Sequence, residues 1–269
     1  MAAKQATLIL YESAASSYVQ KVKIALREKG IPFTTKVPED LLSNQTSGPL
    51  RTANPKVEVP ALLDGDLQIF DSTIILEYLE DKWPEPALLP KDPAARARAR
   101  IIEDICDGEY EATNWGLLEV RWFKRAEGAL AEKLERQGKA HTEALQGWLT
   151  KQLGSHPWFG GDNFGWADAA VAPILNRSVT LGLGPAPNSP LAQWHTRLKE
   201  RPSVAQTFRE YEAALPGFQA LAGSFLKGDK KREYRTHRLE WMVKSGGLQV
   251  VAEGLQNNNI RFTWPQNID

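Results

Sequence analysis

A proline set where a strand should begin is the feature that most restricts what this chain can fold into. Residues 54–78 read NPKVEVPALLDGDLQIFDSTIILEY, and Pro60 opens the apolar run Ala61-Leu62-Leu63. Proline gives no backbone N–H to a ladder, so it is excluded from a strand interior and tolerated at a strand's first residue. A strand therefore starts at Pro60. Asp64-Gly65-Asp66 supplies a turn, Leu67-Gln68-Ile69-Phe70 alternates as a half-buried strand, and Asp71-Ser72 begins a helix in which Ile74, Ile75, Tyr78 and Leu79 recur at helical spacing. The unit is a β-hairpin followed by a helix.

The backbone of such a unit can recognise a peptide. A cis Val59-Pro60 bond, accessible at low cost only before proline, would turn the Val59 N–H and C=O outward as a docking edge. The start of the next helix offers N–H groups and partial positive charge to a carboxylate, and the Asp71 side chain can accept from an ammonium. One α-amino-acid head group would satisfy both. The alternative is an ordinary hairpin with Ser72 as a helix cap.

These residues resemble the glutathione transferase superfamily. Its thioredoxin-like N-terminal domain carries N-P-x-x-x-V-P-x-L, then D-G, then E/D-S-x-x-I-x-x-Y-L. The chain matches at Asn54, Pro55, Val59, Pro60, Leu62, Asp64, Gly65, Asp71, Ser72, Ile75, Tyr78 and Leu79. The match continues through WPEPALLPKDP, residues 83–93, which is similar to the family's interdomain linker. The resemblance implies an α/β thioredoxin-like, glutathione-binding domain over residues 1–83, a linker over 84–93 and an all-α domain over 94–269.

The rest of the chain agrees with that order. Residues 7–11 read as a strand, 17–29 as a helix closed by Gly30, and 32–36 as a strand, a succession that implies a parallel pair with a right-handed crossover. Residues 38–53 are mostly loop. The expected order is βαβ then ββα. Four prolines within residues 83–93 break regular structure, and helices are expected over 94–124, 127–153, 166–181, 191–199 and 203–215. Gly165-Trp166-Ala167-Asp168 resembles the family's S-x-x-D capping box with glycine in place of the hydroxyl residue, so Asp168 reads as structural.

From about residue 227 the chain runs past the usual end of the fold, as a C-terminal extension. It holds a basic run (Lys230, Lys231, Arg232, Arg235, Arg238), two short helices at 239–243 and 248–255, and an apolar end at 260–265. The basic run reads as a solvated face, or as a partner for Glu103, Asp104, Asp107, Glu109 and Glu111. With residues 71–75, the extension resembles the omega-like and etherase-related (fungal-specific class A) glutathione transferases of wood-degrading fungi.

Charge excludes some functions. Thirty-three basic and 33 acidic residues balance, giving no electrostatic case for a nucleic-acid or membrane partner. No segment approaches a membrane span, so a cytoplasmic protein is expected. The single cysteine, Cys106, forbids an internal disulfide and a Cys-x-x-Cys redox pair. No metal is expected.

A transferase of this family must hold the glutathione sulfur as thiolate. Lowering a thiol pKa from about 8.5 to about 6.5 takes roughly 2.7 kcal/mol, which a hydroxyl hydrogen bond and a helix N-terminus can supply together. Ser13, Ser16 and Ser17 precede the first helix, and Tyr11 lies upstream. Family register selects Ser16, five residues before Lys21-Val22-Lys23-Ile24-Ala25-Leu26, which is similar to the R-V-R-I-A-L pattern of zeta and omega classes. A serine there cannot form a mixed disulfide, so cysteine-type reductase chemistry is not expected.

The resemblance further implies Val59 beside the cysteinyl unit, with Asp71 and Ser72 on the γ-glutamyl head. Glu58 stands where many relatives have Lys or Gln, and Lys56 could replace that charge. An aromatic electrophile would meet Trp115, Leu118, Trp122 and Phe123, with Tyr18 and Tyr110 nearby. The expected function is glutathione conjugation, or glutathione-dependent thioether, ester or ether cleavage, of hydrophobic aromatic compounds in detoxification. The alternatives are a ligandin-type binding protein for plant-derived aromatics and an interaction module. Analogy implies a homodimer, with residues 94–100 as a contact.

Overall fold

The computed structural model describes residues 8–42, 47–124 and 126–227, with 252 and 256 as isolated helical positions. The basic run expected at 230–238 and the apolar end at 260–265 lie outside the described residues. So do the helices expected at 239–243 and 248–255, apart from Ala252.

Strand β1 (Leu8–Tyr11) pairs in parallel with β2 (Phe33–Lys36) through the crossover helix α1 (Ser17–Glu28). On its other side β1 pairs antiparallel with β3 (Ala61–Asp64), which forms a hairpin with β4 (Leu67–Phe70). A short helix α2 (Pro49–Ala53) precedes β3, and α3 (Ser72–Lys82) follows β4. The sheet order β2-β1-β3-β4 completes the thioredoxin-like βαβ-ββα arrangement. Strand β3 starts at Ala61, one residue after the expected Pro60, and the Val59-Pro60 bond is cis.

The helical part comprises α4 (Pro93–Ile105), a π-helical turn (Cys106–Tyr110), α5 (Glu111–Arg121), α6 (Gly128–Leu153), α7 (Trp166–Thr180), α8 (Pro190–Leu198), α9 (Pro202–Gln219) and α10 (Ala222–Lys227). One helix was expected over 94–124; instead the π turn divides it, a local widening common where a helix serves a site. The widened turn leaves Glu103, Asp107 and Glu111 all reaching side chains of α1. Helix α9 also runs four residues past its expected end, through Pro216, to Gln219.

Helix α7 is the axis of this part, buried at every position from Trp166 to Ser178. Helix α1 joins its core. Val19, Val22, Ile24, Ala25 and Leu26 share one apolar cluster with Leu8, Leu10 and Leu62 of the sheet and with Val171, Ile174 and Leu175 of α7. At the start of α7, Asp168 accepts from the backbone N–H of Gly165 at 3.0 Å and of Phe159 at 3.1 Å, and from the Trp194 indole at 2.7 Å. Burial nonetheless pushes its carboxyl up to about 6.

Candidate functional site

Strand register brings three loops to one end of the sheet. Tyr11, the last residue of β1, lies opposite Ala61, the first of β3, and Ala61 lies opposite Phe70, the last of β4. The residues just beyond them are therefore neighbours: the loop to Ser16, the Val59-Pro60 bond, and Asp71-Ser72. Ser16 came from a different sequence argument than the other two.

Ser16 is the N-cap of α1, in extended conformation, and its hydroxyl oxygen accepts from the Val19 N–H at 3.4 Å. Capping does not exhaust this hydroxyl. A serine has one O–H donor and two lone pairs, so Ser16 can accept from Val19 and still donate to an anion in front of it. Of the other candidates, the Ser17 hydroxyl is buried and donates to Glu111 Oε2 at 3.1 Å, Tyr11 packs against the Leu50, Ala53 and Ala61 cluster, and Ser13 is half-buried in the loop three residues before Ser16. Cys106 is buried in the π turn, where burial and the Asp107 charge push its thiol well above the ordinary range.

At the head-group position the cap is Asp71, not Ser72. Asp71 Oδ1 accepts from the Thr73 N–H at 2.9 Å and the Ile74 N–H at 3.3 Å, and Ser72 is the first residue of α3. Asp71 stands at φ +74°, ψ 124°, a combination few non-glycine residues adopt. Its side chain is exposed while Ser72 is buried beneath it.

The loop before β3 is organised by Asn54, a residue of the matched motif to which the sequence assigned no role. Its buried amide donates to the Glu58 carbonyl and accepts from the Lys56 N–H, each at 2.9 Å. Among the described residues, neither the N–H nor the C=O of Val59 pairs with another backbone group. The exposed Lys56 ammonium lies 6.0 Å from the Phe70 ring centre, and Glu58 is half-buried beside it.

The expected aromatic wall divides. Leu118 and Phe123 are 1% and 0% exposed and form a core with Leu117 and Leu181 instead of facing a ligand. Phe123 meets Phe218 edge-on at 5.4 Å. Tyr110 is likewise buried, and its hydroxyl accepts from Gln146 at 2.8 Å. Phe218 of α9 covers Phe123, whereas Tyr110 belongs to the main core shared with α7. Trp115 and Trp122 remain half-buried. Tyr18 is half-buried too; its hydroxyl donates to the Asp107 carbonyl at 2.7 Å, and burial together with the Glu111 and Asp107 charges keeps it protonated far above the ordinary range.

Behind Ser16 runs a buried ionic seam between the two parts of the molecule. Lys21 Nζ meets Glu103 at 2.7 Å and also Asp107. Burial opposes its charge, but Asp107 and Glu103 hold its pKa above the ordinary value. Glu111 pairs with Arg177 of α7. Three of the five acids considered as partners for the basic extension are thus already paired from within, Glu103 and Asp107 sharing the one lysine. Only Asp104 and Glu109 of that set are exposed. A separate cleft of about 830 Å³, between β2, α1 and α9, is lined by Glu12, Lys23, Arg27, Phe33 and Glu210 and contains none of the expected site residues. Among the described residues no helix is long and apolar enough to cross a membrane, and no His, Cys, Asp or Glu group could hold a metal ion.

With this geometry in place, likeness to known proteins can be weighed. The profile of "Glutathione S-transferase, N-terminal domain" matches residues 10–87, and that of "Glutathione S-transferase, C-terminal domain" matches residues 121–197. Glutathione S-transferase Z2 of Arabidopsis thaliana is 32% identical over 218 residues, covering 80% of this chain and 90% of the relative. A stringent starvation protein A homolog of Coxiella burnetii is 29% identical, covering 79% of this chain and 96% of the relative. Among solved structures, a glutathione S-transferase of Methylobacterium radiotolerans in complex with glutathione sulfonate superposes with a TM-score of 0.63 at 30% identity, covering 75% of this chain and 94% of that one.

Proposed function

The chain belongs to the glutathione transferase superfamily, and from that premise we propose that it is a serine-type transferase in which Ser16 holds the glutathione sulfur as thiolate. The observation carrying this reading is the half-buried Ser16 hydroxyl, at the N-terminus of α1 and at the same sheet end as Val59 and Asp71-Ser72. Within the fungal omega-like and etherase-related group that its sequence resembles, the substrates are hydrophobic aromatic electrophiles.

Glutathione lies along that sheet end. The N–H and C=O of Val59, which pair with no backbone group among the described residues, exchange hydrogen bonds with the cysteinyl unit, and the cis Pro60 follows it into the sheet. The Asp71 carboxylate takes the γ-glutamyl ammonium while still capping α3, and Ser72 donates to the γ-glutamyl carboxylate at the helix start. Lys56 and Glu58 flank the glycyl end. The thiolate attacks an electrophilic carbon of an aromatic compound resting on Trp115, Trp122 and the edge of Tyr18. A carbon–sulfur bond forms as the leaving group departs with its electron pair. Leu118 and Phe123 support that wall from behind. We further assign the protein to the cytoplasm as a homodimer, to which exposed Leu67, Ile74 and Ile101, respectively 48%, 55% and 54% exposed, contribute apolar contact.

The test is the ultraviolet thiolate absorbance of bound glutathione across pH in wild type and Ser16→Ala, with turnover of an aryl halide and a phenacyl thioether. Thiolate near pH 6.5 (~2 units below a free thiol) in wild type only, with turnover lost in the variant, supports the transferase. The half-buried Trp115 and Trp122 serve equally a second reading, in which the cleft binds aromatics without turnover. Tight aromatic binding with no thiolate in either protein would select it.

A further inference from the structure

Ser16 stands between two anchors that come from the helical part of the molecule. Arg177, near the C-terminal end of α7, donates from one guanidinium nitrogen to the Ala15 carbonyl and from another to Glu111 Oε1. Glu111, at the start of α5, takes the Ser17 hydroxyl on its other oxygen at 3.1 Å. The residues before and after Ser16 thus hang on one ion pair. Ala15, Ser17, Glu111 and Arg177 are all buried, whereas Ser16 is only half-buried. The face of Arg177 lies over the Tyr211 ring, 6.0 Å from its centre, which limits its freedom to swing away.

Such a pair is not what adhesion requires. Removing two charges from water is expensive, and apolar side chains of similar size commonly hold two elements together as well. Apolar side chains cannot fix a carbonyl and a hydroxyl in place. A planar guanidinium fork can, because its donors diverge at set angles.

Resting on the serine reading above, we infer that Arg177 and Glu111 are positioning residues. They set where the Ser16 hydroxyl and the first turn of α1 stand relative to the bound sulfur, and so how strongly the thiolate is held. Thiolate stabilisation by a hydroxyl and a helix N-terminus depends on distance and aim, and a displacement near 1 Å can change rates by about 100-fold.

The experiment compares wild type, Arg177→Lys, Ser17→Ala and Ser16→Ala by the pKa of the bound thiol, by kcat and KM for glutathione, and by thermal unfolding. Lysine keeps the charge of Arg177 but cannot grip Glu111 and Ala15 together. Ser17→Ala removes one anchor and leaves the ion pair, so it remains informative if Arg177→Lys folds poorly. Both are expected to raise the bound-thiol pKa by about one unit. The consequence is a roughly 5-fold loss of kcat/KM near pH 6.5, approaching about 10-fold at lower pH and recovered above the new pKa, with KM for glutathione within about twofold of wild type. A lower Tm with an unshifted thiol pKa in both variants would make the pair purely structural and overturn the inference. Ser16→Ala separates the two readings. If its thiol pKa rises while theirs do not, only the positioning role fails; if its pKa is also unchanged, the serine reading fails and takes the positioning role with it.

Discussion

Single residues divide into those whose chemistry faces outward and those that hold them. On the proposed reading Asp71 does both: one oxygen caps α3, and the exposed carboxylate takes the γ-glutamyl ammonium. Asparagine caps about as well as aspartate, so Asp71→Asn should leave the urea midpoint nearly unchanged. It should still raise KM for glutathione by about 10-fold or more, because a hydrogen bond to a charged partner is worth roughly 1.5–3 kcal/mol. His195 offers a pH test. Burial, helped by Lys199, pulls its pKa from 6.5 to about 4, and its Nε2 faces the Asn176 side chain at 3.1 Å. The unfolded chain binds this proton first, so the histidine's contribution is present above about pH 6.5 and is lost as pH falls toward 4, by up to about 3 kcal/mol. Asp107 and Asp168, raised to about 6 by burial, act oppositely over an overlapping range, gaining stability as pH falls. The wild-type curve alone therefore mixes signs. The difference between wild type and His195→Leu, from urea unfolding at pH 7, 6, 5 and 4, should shrink steadily toward acid.

At the scale of elements, hydrophobic period and proline placement located every strand, and α1, α6, α7 and α8, to within a residue or two, but missed α2 and α10, merged α4 with α5 and ended α9 four residues early. The hairpin, α1 and α7 were legible because each has a buried face written in its own residues. The π turn was not, because its cause lies elsewhere: Asp107 and Glu111 reach partners on α1 and α7, which are remote in sequence. Leu118 and Phe123 were misread for the same reason, since a helical stripe does not say whether α9 or a ligand will cover it. Arg177 gave no local signal either, being a polar residue whose partners, Ala15 and Glu111, are fixed only by the fold. Lys21 measures what such remote partners contribute. Lys21→Met would leave Glu103 and Asp107 buried without their cation. It should destabilise the protein by about 3–5 kcal/mol, seen as a lower urea midpoint at unchanged m-value.

At the scale of the molecule, exposed apolar residues and buried charges lie in unusual places. Leu67, Ile74 and Ile101 face outward on β4, α3 and α4. If they meet a second copy, Ile74→Glu together with Ile101→Glu should yield a monomer by analytical ultracentrifugation while the thiol titration stays near wild type. Two buried cations stand on α1. Lys21 finds Glu103 82 residues later, and Lys23 finds Glu210 187 residues later. On the ribosome, where chains lengthen at roughly 5–20 residues per second, that second partner appears some ~10–40 s after Lys23 itself. The first domain therefore emerges with cations on a surface meant for an interior that has not yet been synthesised. Nascent chains stalled after residue 92 should remain sensitive to protease, and resistance should appear only once α9 has cleared the exit tunnel.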